Sequence, residues 1–271
     1  MGDFDIQDQS LTAIREAIGW HTIAIDISLC SKENPVWGTG ALITADGKFF
    51  IITCRHIVRP EYPSEDLRFL YRPEAPFRPV DKGFLKRISR HYIFSKEVVR
   101  SSPKTIPILN VIHSDDKDDL AILQIDPLWD EIGSYRFFEM NKTQVISPDI
   151  NAPIFLMGFS KELTKRVTER GDLGDFPYFE YGQISTKRID SDTYDSQRHF
   201  LIEFGKTEDR VEPHGLSGCG VWSRRISGPN KLWAPNIHLI GIQHSYFKKT
   251  QVLKATRIER VIQLLEEIRG T

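Results

Sequence analysis

The sequence predicts an all-β protein, a sandwich or barrel, with a helix at each end. Short β-type runs follow one another in two series along the 271 residues, with turn residues between them, and that pattern marks an all-β core. Only before the first run and after the last does the apolar spacing become helical. The length allows one large β domain or two small ones, with ample core for either.

Ser10 is placed to cap a short first helix with Leu11, Ile14 and Ile18 on one face. The first series of runs comprises 21–29, 38–44, 48–54, 67–71, 106–113 and 120–125. Ala45-Asp46-Gly47 between two of these reads as a hairpin turn. The second series comprises 152–159, 179–189, 200–204, 220–223, 238–244 and 251–255, and a weakly patterned stretch over 126–151 joins the two. Thr256-Arg257-Ile258-Glu259 has the form of a capping box. It would open a helix with Ile258, Val261, Ile262, Leu265 and Ile268 on one face.

Lys plus Arg number 36 and Asp plus Glu 37, so whole-chain charge favours no partner. Cys30, Cys54 and Cys219 are too few and scattered for a disulfide framework, and no C-x-x-C pair suggests zinc. The acidic start, Met1-Gly2-Asp3-Phe4-Asp5, lacks the profile of a secretion signal, and no apolar run approaches the ~18 residues of a membrane span. These features predict a soluble, cytoplasmic protein with no membrane partner. Residues 68–104 carry a cluster of Lys and Arg interleaved with Phe77, Phe84, Tyr92 and Phe94. Such a loop is a solvated insertion, or a grip for nucleic acid, an acidic partner or the protein's own acidic surface. Nucleic acid is not the expected ligand.

His214-Gly215-Leu216-Ser217-Gly218-Cys219-Gly220 places a lone serine between glycines. Taken alone, the segment is either a tight turn or the seat of a nucleophile, where glycines let N–H groups converge beside the hydroxyl. His56 follows a strongly apolar run, and Asp119 opens another, Leu120-Ala121-Ile122-Leu123. A lone histidine or aspartate at such a place is commonly structural. Together the two can serve as base and orienting acid, with Asp118 as the alternative acid. The chain order His56, Asp119, Ser217 excludes the α/β-hydrolase order, in which the acid and histidine follow the serine. It also differs from the order in subtilisin and agrees with that of the chymotrypsin fold.

At these residues the chain resembles the trypsin-like serine peptidases, compact bacterial members in particular. Gly38-Thr39-Gly40-Ala41-Leu42-Ile43 is similar to the strand before the family's histidine, and Thr53-Cys54-Arg55-His56-Ile57-Val58 to the histidine segment. Asp119-Leu120-Ala121-Ile122-Leu123 resembles the aspartate strand, and Met157-Gly158-Phe159 the strand opening the second barrel. Gly215-Leu216-Ser217-Gly218 resembles the serine loop, and Leu239-Ile240-Gly241-Ile242 the strand behind it.

The resemblance implies two six-stranded antiparallel β-barrels of the chymotrypsin type, over 21–140 (with the basic insertion at about 74–104) and 150–255. A helical segment over 1–20 would precede them and a helix over 256–269 would follow. It implies a serine endopeptidase acting on a protein or peptide substrate through a His56-Asp119-Ser217 triad, without cofactor or metal. The N–H groups of Gly215 and Ser217 would form the oxyanion hole. By the same resemblance Val211 lies near the pocket floor, and substrate adds along Gln243-His244-Ser245-Tyr246, with Tyr246 at the pocket entrance. His244 is either a substrate contact or a structural neighbour of the triad.

Departures from the family sharpen the expectations. Leu216 stands where digestive trypsins carry an aspartate that pairs with a newly cut N-terminus, so the oxyanion loop must be held otherwise. Arg55 occupies a place usually small and needs a carboxylate or water. Cys219 replaces a glycine and is expected to pack as a small hydrophobe, with no nucleophilic role for it or Cys54. Two other readings stand beside the peptidase: a catalytically silent chymotrypsin-fold protein binding a peptide or partner, and a peptidase held off until a regulatory partner arrives.

Overall fold

Strands buried on both faces need two cores, and alternate residues of this chain supply them. The computed structural model describes residues 3–26, 37–58, 68–70, 108–125, 137–140, 146–160, 177–205, 212–224 and 237–269. Among these, helix α1 (Asp3–Gly19) precedes strands β1 (Thr22–Asp26), β2 (Trp37–Ala45), β3 (Lys48–Cys54), β4 (Arg68–Leu70), β5 (Ile108–His113), β6 (Leu120–Ile125) and β7 (Phe138–Glu139). Then come β8 (Ile154–Phe159), β9 (Pro177–Gly182), β10 (His199–Glu203), β11 (Gly220–Arg224), β12 (Ile237–Phe247), β13 (Val252–Arg257) and helix α2 (Ile258–Arg269).

The first sheet runs β4-β1-β2-β3-β6-β5, and the second β10-β13-β12-β11-β8-β9. All pairings are antiparallel except that of β7, which adds to β2 in parallel at Ile43 and Phe138. This short strand makes the first sheet seven-stranded, against the six expected. The second sheet curls round until its ends meet. Just past β9, Ile184 bridges Ile202 of β10. There Ser185 N–H donates to the Leu201 carbonyl at 2.8 Å, and Glu203 N–H to that of Gln183 at 3.1 Å.

The period-2 alternation of strands divides the apolar residues. Ile51, Ala121, Leu123 and Ile125 pack in a core belonging to the first sheet, with Ile23 and Ile25. Leu156, Val221, Ile240 and Leu253 fill a core belonging to the second. Their sequence neighbours Phe50, Ile52, Leu120, Ile122, Phe155, Met157 and Trp222 face the other way into a third core that both sheets share. Ile14 and Ile18 of α1 and Ile258, Val261, Leu264 and Leu265 of α2 close this shared core. Near-continuous apolar runs such as Phe49-Phe50-Ile51-Ile52 therefore mean burial on both faces.

Several local expectations are corrected. Helix α1 begins at Asp3, so Ser10 lies within it and is no cap. The capping box does not form as expected, because β13 runs directly into α2 and the Thr256 hydroxyl donates at 2.7 Å to the Asp118 carbonyl. The expected hairpin turn between β2 and β3 forms with two residues in place of three, Asp46 and Gly47 both at positive φ (49° and 72°) and Ala45 paired with Lys48. Apart from β4, the basic insertion lies outside the described residues.

Trp222 is the largest fully buried side chain among the described residues. It stacks on His21 at 5.7 Å and meets the edge of Phe138 at 5.0 Å, joining the second sheet to the end of α1 and to β7. Trp222→Ala should therefore destabilise the fold by about 3–5 kcal/mol, measured as a lower denaturant midpoint.

Candidate active site

Strand register brings the first two candidate residues together. β3 pairs with β6 so that Cys54 lies opposite Leu120. The chain leaving β3 therefore passes the chain entering β6, and Arg55 N–H donates to the Asp119 carbonyl at 3.0 Å. His56 is fixed to Asp119 twice. Its backbone N–H donates to Oδ1 at 3.0 Å, and its Nδ1 lies 2.6 Å from Oδ2. With Nδ1 so engaged, Nε2 is the ring nitrogen left for chemistry on this exposed side chain.

Asp119 adopts φ 50°, the left-handed region that costs a non-glycine residue about 1–3 kcal/mol. The tight 114–119 loop imposes it. Ser114 and Leu120 exchange backbone and hydroxyl hydrogen bonds, and Asp115 Oδ1 accepts the N–H groups of Lys117 and Asp118. Burial works to raise the Asp119 carboxyl. Hydrogen bonding with His244 and His56 outweighs it and holds the group well below the usual carboxylate range.

Ser217 comes from the second sheet, in the loop before β11. Its hydroxyl donates to the His244 carbonyl at 3.4 Å, and no hydrogen bond joins it to His56 among the described residues. Such contacts are commonly long before substrate is bound. The backbone around it is nearly spoken for. Leu216 N–H donates to Pro213, Gly218 N–H to Gln243 and Cys219 N–H to Leu216, at 2.8–3.0 Å. Among the described residues the N–H groups of Gly215 and Ser217 have no acceptor, and both residues are only partly buried. Gly215 has φ 95°. Two open donors beside a serine hydroxyl are what an oxyanion requires.

His244 turns its imidazole inward, with 1% of the side chain exposed and Nδ1 3.5 Å from Asp119 Oδ2. Its Nε2 is 3.2 Å from Thr256 Oγ1. Only its backbone is left to meet a substrate. Ser245 Oγ lies 3.1 Å from His244 Nδ1, and Tyr246 packs edge-on against Phe204 at 5.8 Å. Val211 lies outside the described residues.

Behind the site, Asp118 faces away from His56 and is wholly buried. Its Oδ2 accepts Arg198 Nη2, Arg260 Nε and Arg260 Nη2, each at 2.7 Å. This arginine clamp removes Asp118 as an alternative acid. His199 is also buried; Asp195 N–H donates to its Nδ1 at 3.0 Å, so Nε2–H donates to the Lys117 carbonyl. Burial, reinforced by Lys254 and His244, lowers its pKa to about 4. Lys254 is buried too, its Nζ donating to the carbonyl and hydroxyl of Thr193 at 3.0 Å. No local sequence pattern marks Arg198, Arg260 or Lys254 as neighbours of the loop; each lies far along the chain from it.

Arg55 finds the partners its position demands, Asp116 Oδ1 at 2.7 Å and the Ser114 carbonyl at 3.0 Å. Cys54 and Cys219 are buried free thiols, both pushed up in pKa chiefly by burial, which suits packing and not nucleophilic attack. Donor atoms of Cys54, His56 and Asp119 lie within 4.8 Å of one another. That set fits a metal poorly, because the thiol is held protonated and donates to the Gln243 carbonyl, while Nδ1 and the carboxylate bind each other.

No family model matches the sequence, and no curated protein matches it significantly. Among solved structures the chain is similar to a serine endoprotease from Yersinia pestis, with a TM-score of 0.53 and 14% identity over 95% of this chain and 65% of that one. The chain thus spans less than two thirds of that protein's length. It is also similar to the inactivated protease paralogue S-I1 of the scabies mite, with a TM-score of 0.53 and 12% identity over 96% of this chain and 98% of that one. The likeness is one of backbone: the chain has the trypsin-like, chymotrypsin-type fold.

Neutral His199 gives the fold an acid-sensitive element. Its ring stays unprotonated to about pH 4 when folded, whereas an unfolded chain binds that proton near 6.5. Between those values the unfolded state holds more protons, so stability falls as pH drops through the window. The lowered Asp119 carboxyl extends the loss further into acid. Urea midpoints measured across this range should decline, with the His199 ring titrating near 4 by NMR.

Proposed function

We propose that this chain is a serine endopeptidase using His56, Asp119 and Ser217. The observation that carries the reading is the pair of acceptor-free N–H groups, Gly215 and Ser217, beside a serine hydroxyl that rests on the backbone of His244, whose ring meets the same Asp119 Oδ2 that binds His56. In the proposed reaction, Ser217 Oγ rotates from the His244 carbonyl toward His56 Nε2, which takes its proton as Oγ attacks a peptide carbonyl. The resulting oxyanion accepts the Gly215 and Ser217 N–H groups. The C–N bond then breaks as His56 returns the proton to the leaving amine, and water repeats the sequence on the acyl ester. Asp119 stays ionised throughout, holding Nδ1–H and the transient imidazolium.

A second reading, a catalytically silent peptide-binding protein, draws on the contact between Ser217 and the His244 carbonyl in place of one with His56. The two separate on a fluorophosphonate probe. A peptidase is labelled at Ser217, and both Ser217→Ala and His56→Ala lose the label; a silent protein takes none. Asp119→Asn should keep the fold and lower turnover of a library-selected peptide by about 10⁴-fold, the scale set by serine-protease triads.

A further inference from the structure

Resting on the peptidase reading, we propose that Thr39 is the positioning residue that sets the oxyanion loop, in place of an ion pair at the residue before the serine. Leu216 occupies that place and is fully buried in the core of the second sheet. Apolar packing anchors the loop there without fixing the direction of any peptide group. Gly215, at φ 95° and without a Cβ, turns readily unless hydrogen bonds hold it.

Thr39, on β2 of the other sheet and wholly buried, supplies those bonds. Its hydroxyl accepts Phe159 N–H from β8 at 2.9 Å and gives its single proton to the Gly215 carbonyl at 2.8 Å. Its backbone N–H donates to the Ser217 carbonyl at 2.8 Å. Its own carbonyl is held by the Thr53 hydroxyl at 2.7 Å. One residue thus fixes the carbonyls of both residues whose N–H groups must meet the oxyanion. Those bonds orient the 215–216 and 217–218 peptides; Ser217 N–H belongs to the peptide between them and Gly215 N–H to the one just before, and both lack an acceptor among the described residues.

The hydroxyl can be removed without changing side-chain shape. Thr39→Val leaves the Gly215 carbonyl and Phe159 N–H unpaired, whereas Thr39→Ser keeps both bonds. On the best peptide from library profiling, Thr39→Val should lower kcat about 10²-fold with KM nearly unchanged. Fluorophosphonate labelling should slow in parallel, and Thr39→Ser should recover most of both. Equal kcat in Thr39→Val and wild type, or no recovery in Thr39→Ser, overturns the proposal. If Thr39→Val does not fold, wild type decides by NMR: a Thr39 hydroxyl proton protected from exchange and close to Gly215 supports the latch, and a freely exchanging one overturns it. Wild type that takes no fluorophosphonate overturns the peptidase reading and this one with it. A reactive wild type with an indifferent Thr39→Val overturns the latch alone.

Discussion

The closeness of the Ser217 loop to β2 is the constraint on which the site depends. A Cβ on Gly218 would stand 1.9 Å from the Thr39 carbonyl oxygen and 2.3 Å from Thr53 Oγ1. Gly218 is also at φ 91°, where side chains are strained. Only glycine lets the loop lie flush against the other sheet. That contact brings Thr39 N–H to the Ser217 carbonyl and leaves Gly218 N–H for Gln243 on β12. The serine is therefore held by backbone groups of both sheets.

On the opposite side the constraint is charge. Asp118 and Asp119 are adjacent in sequence but face opposite ways, one toward two arginines and the other toward two histidines. A buried carboxylate left unpaired would be costly, and Arg198 and Arg260 answer that cost for Asp118. They also tie the residue before β10 and the start of α2 to the loop that carries Asp119. The left-handed backbone at Asp119 is held from three directions, by Arg55 N–H, by the Asp115 carbonyl and by His56 N–H on its own carboxylate. Helix α2 is thereby part of the support of the loop that carries Asp119.

Most strands were legible because burial on both faces concentrates apolar residues into runs that turn residues interrupt. Lys48–Cys54 and Leu120–Ile125 have the bounds their composition predicts. Phe138–Glu139 was not legible, since a two-residue strand has no periodicity to read. Thr256 misled for a related reason. A threonine three residues before a glutamate suits a cap, yet its hydroxyl reaches Asp118 across 138 residues of chain. Asp118 and Asp119 are likewise indistinguishable by type; the fold separates them by where each side chain points.

By itself the sequence determined the all-β character, the terminal helices and the residue types and order of the candidate triad, because these are properties of runs and short motifs. Tertiary structure decided which donors are open at Gly215 and Ser217, which aspartate meets His56, and that His244 lies against Asp119. It also decided that Thr39 holds the loop, through a hydrogen bond spanning 176 residues. Those facts depend on the register between β3 and β6 and on the closeness of two sheets. Both arise from packing many side chains at once, and no local spacing records them.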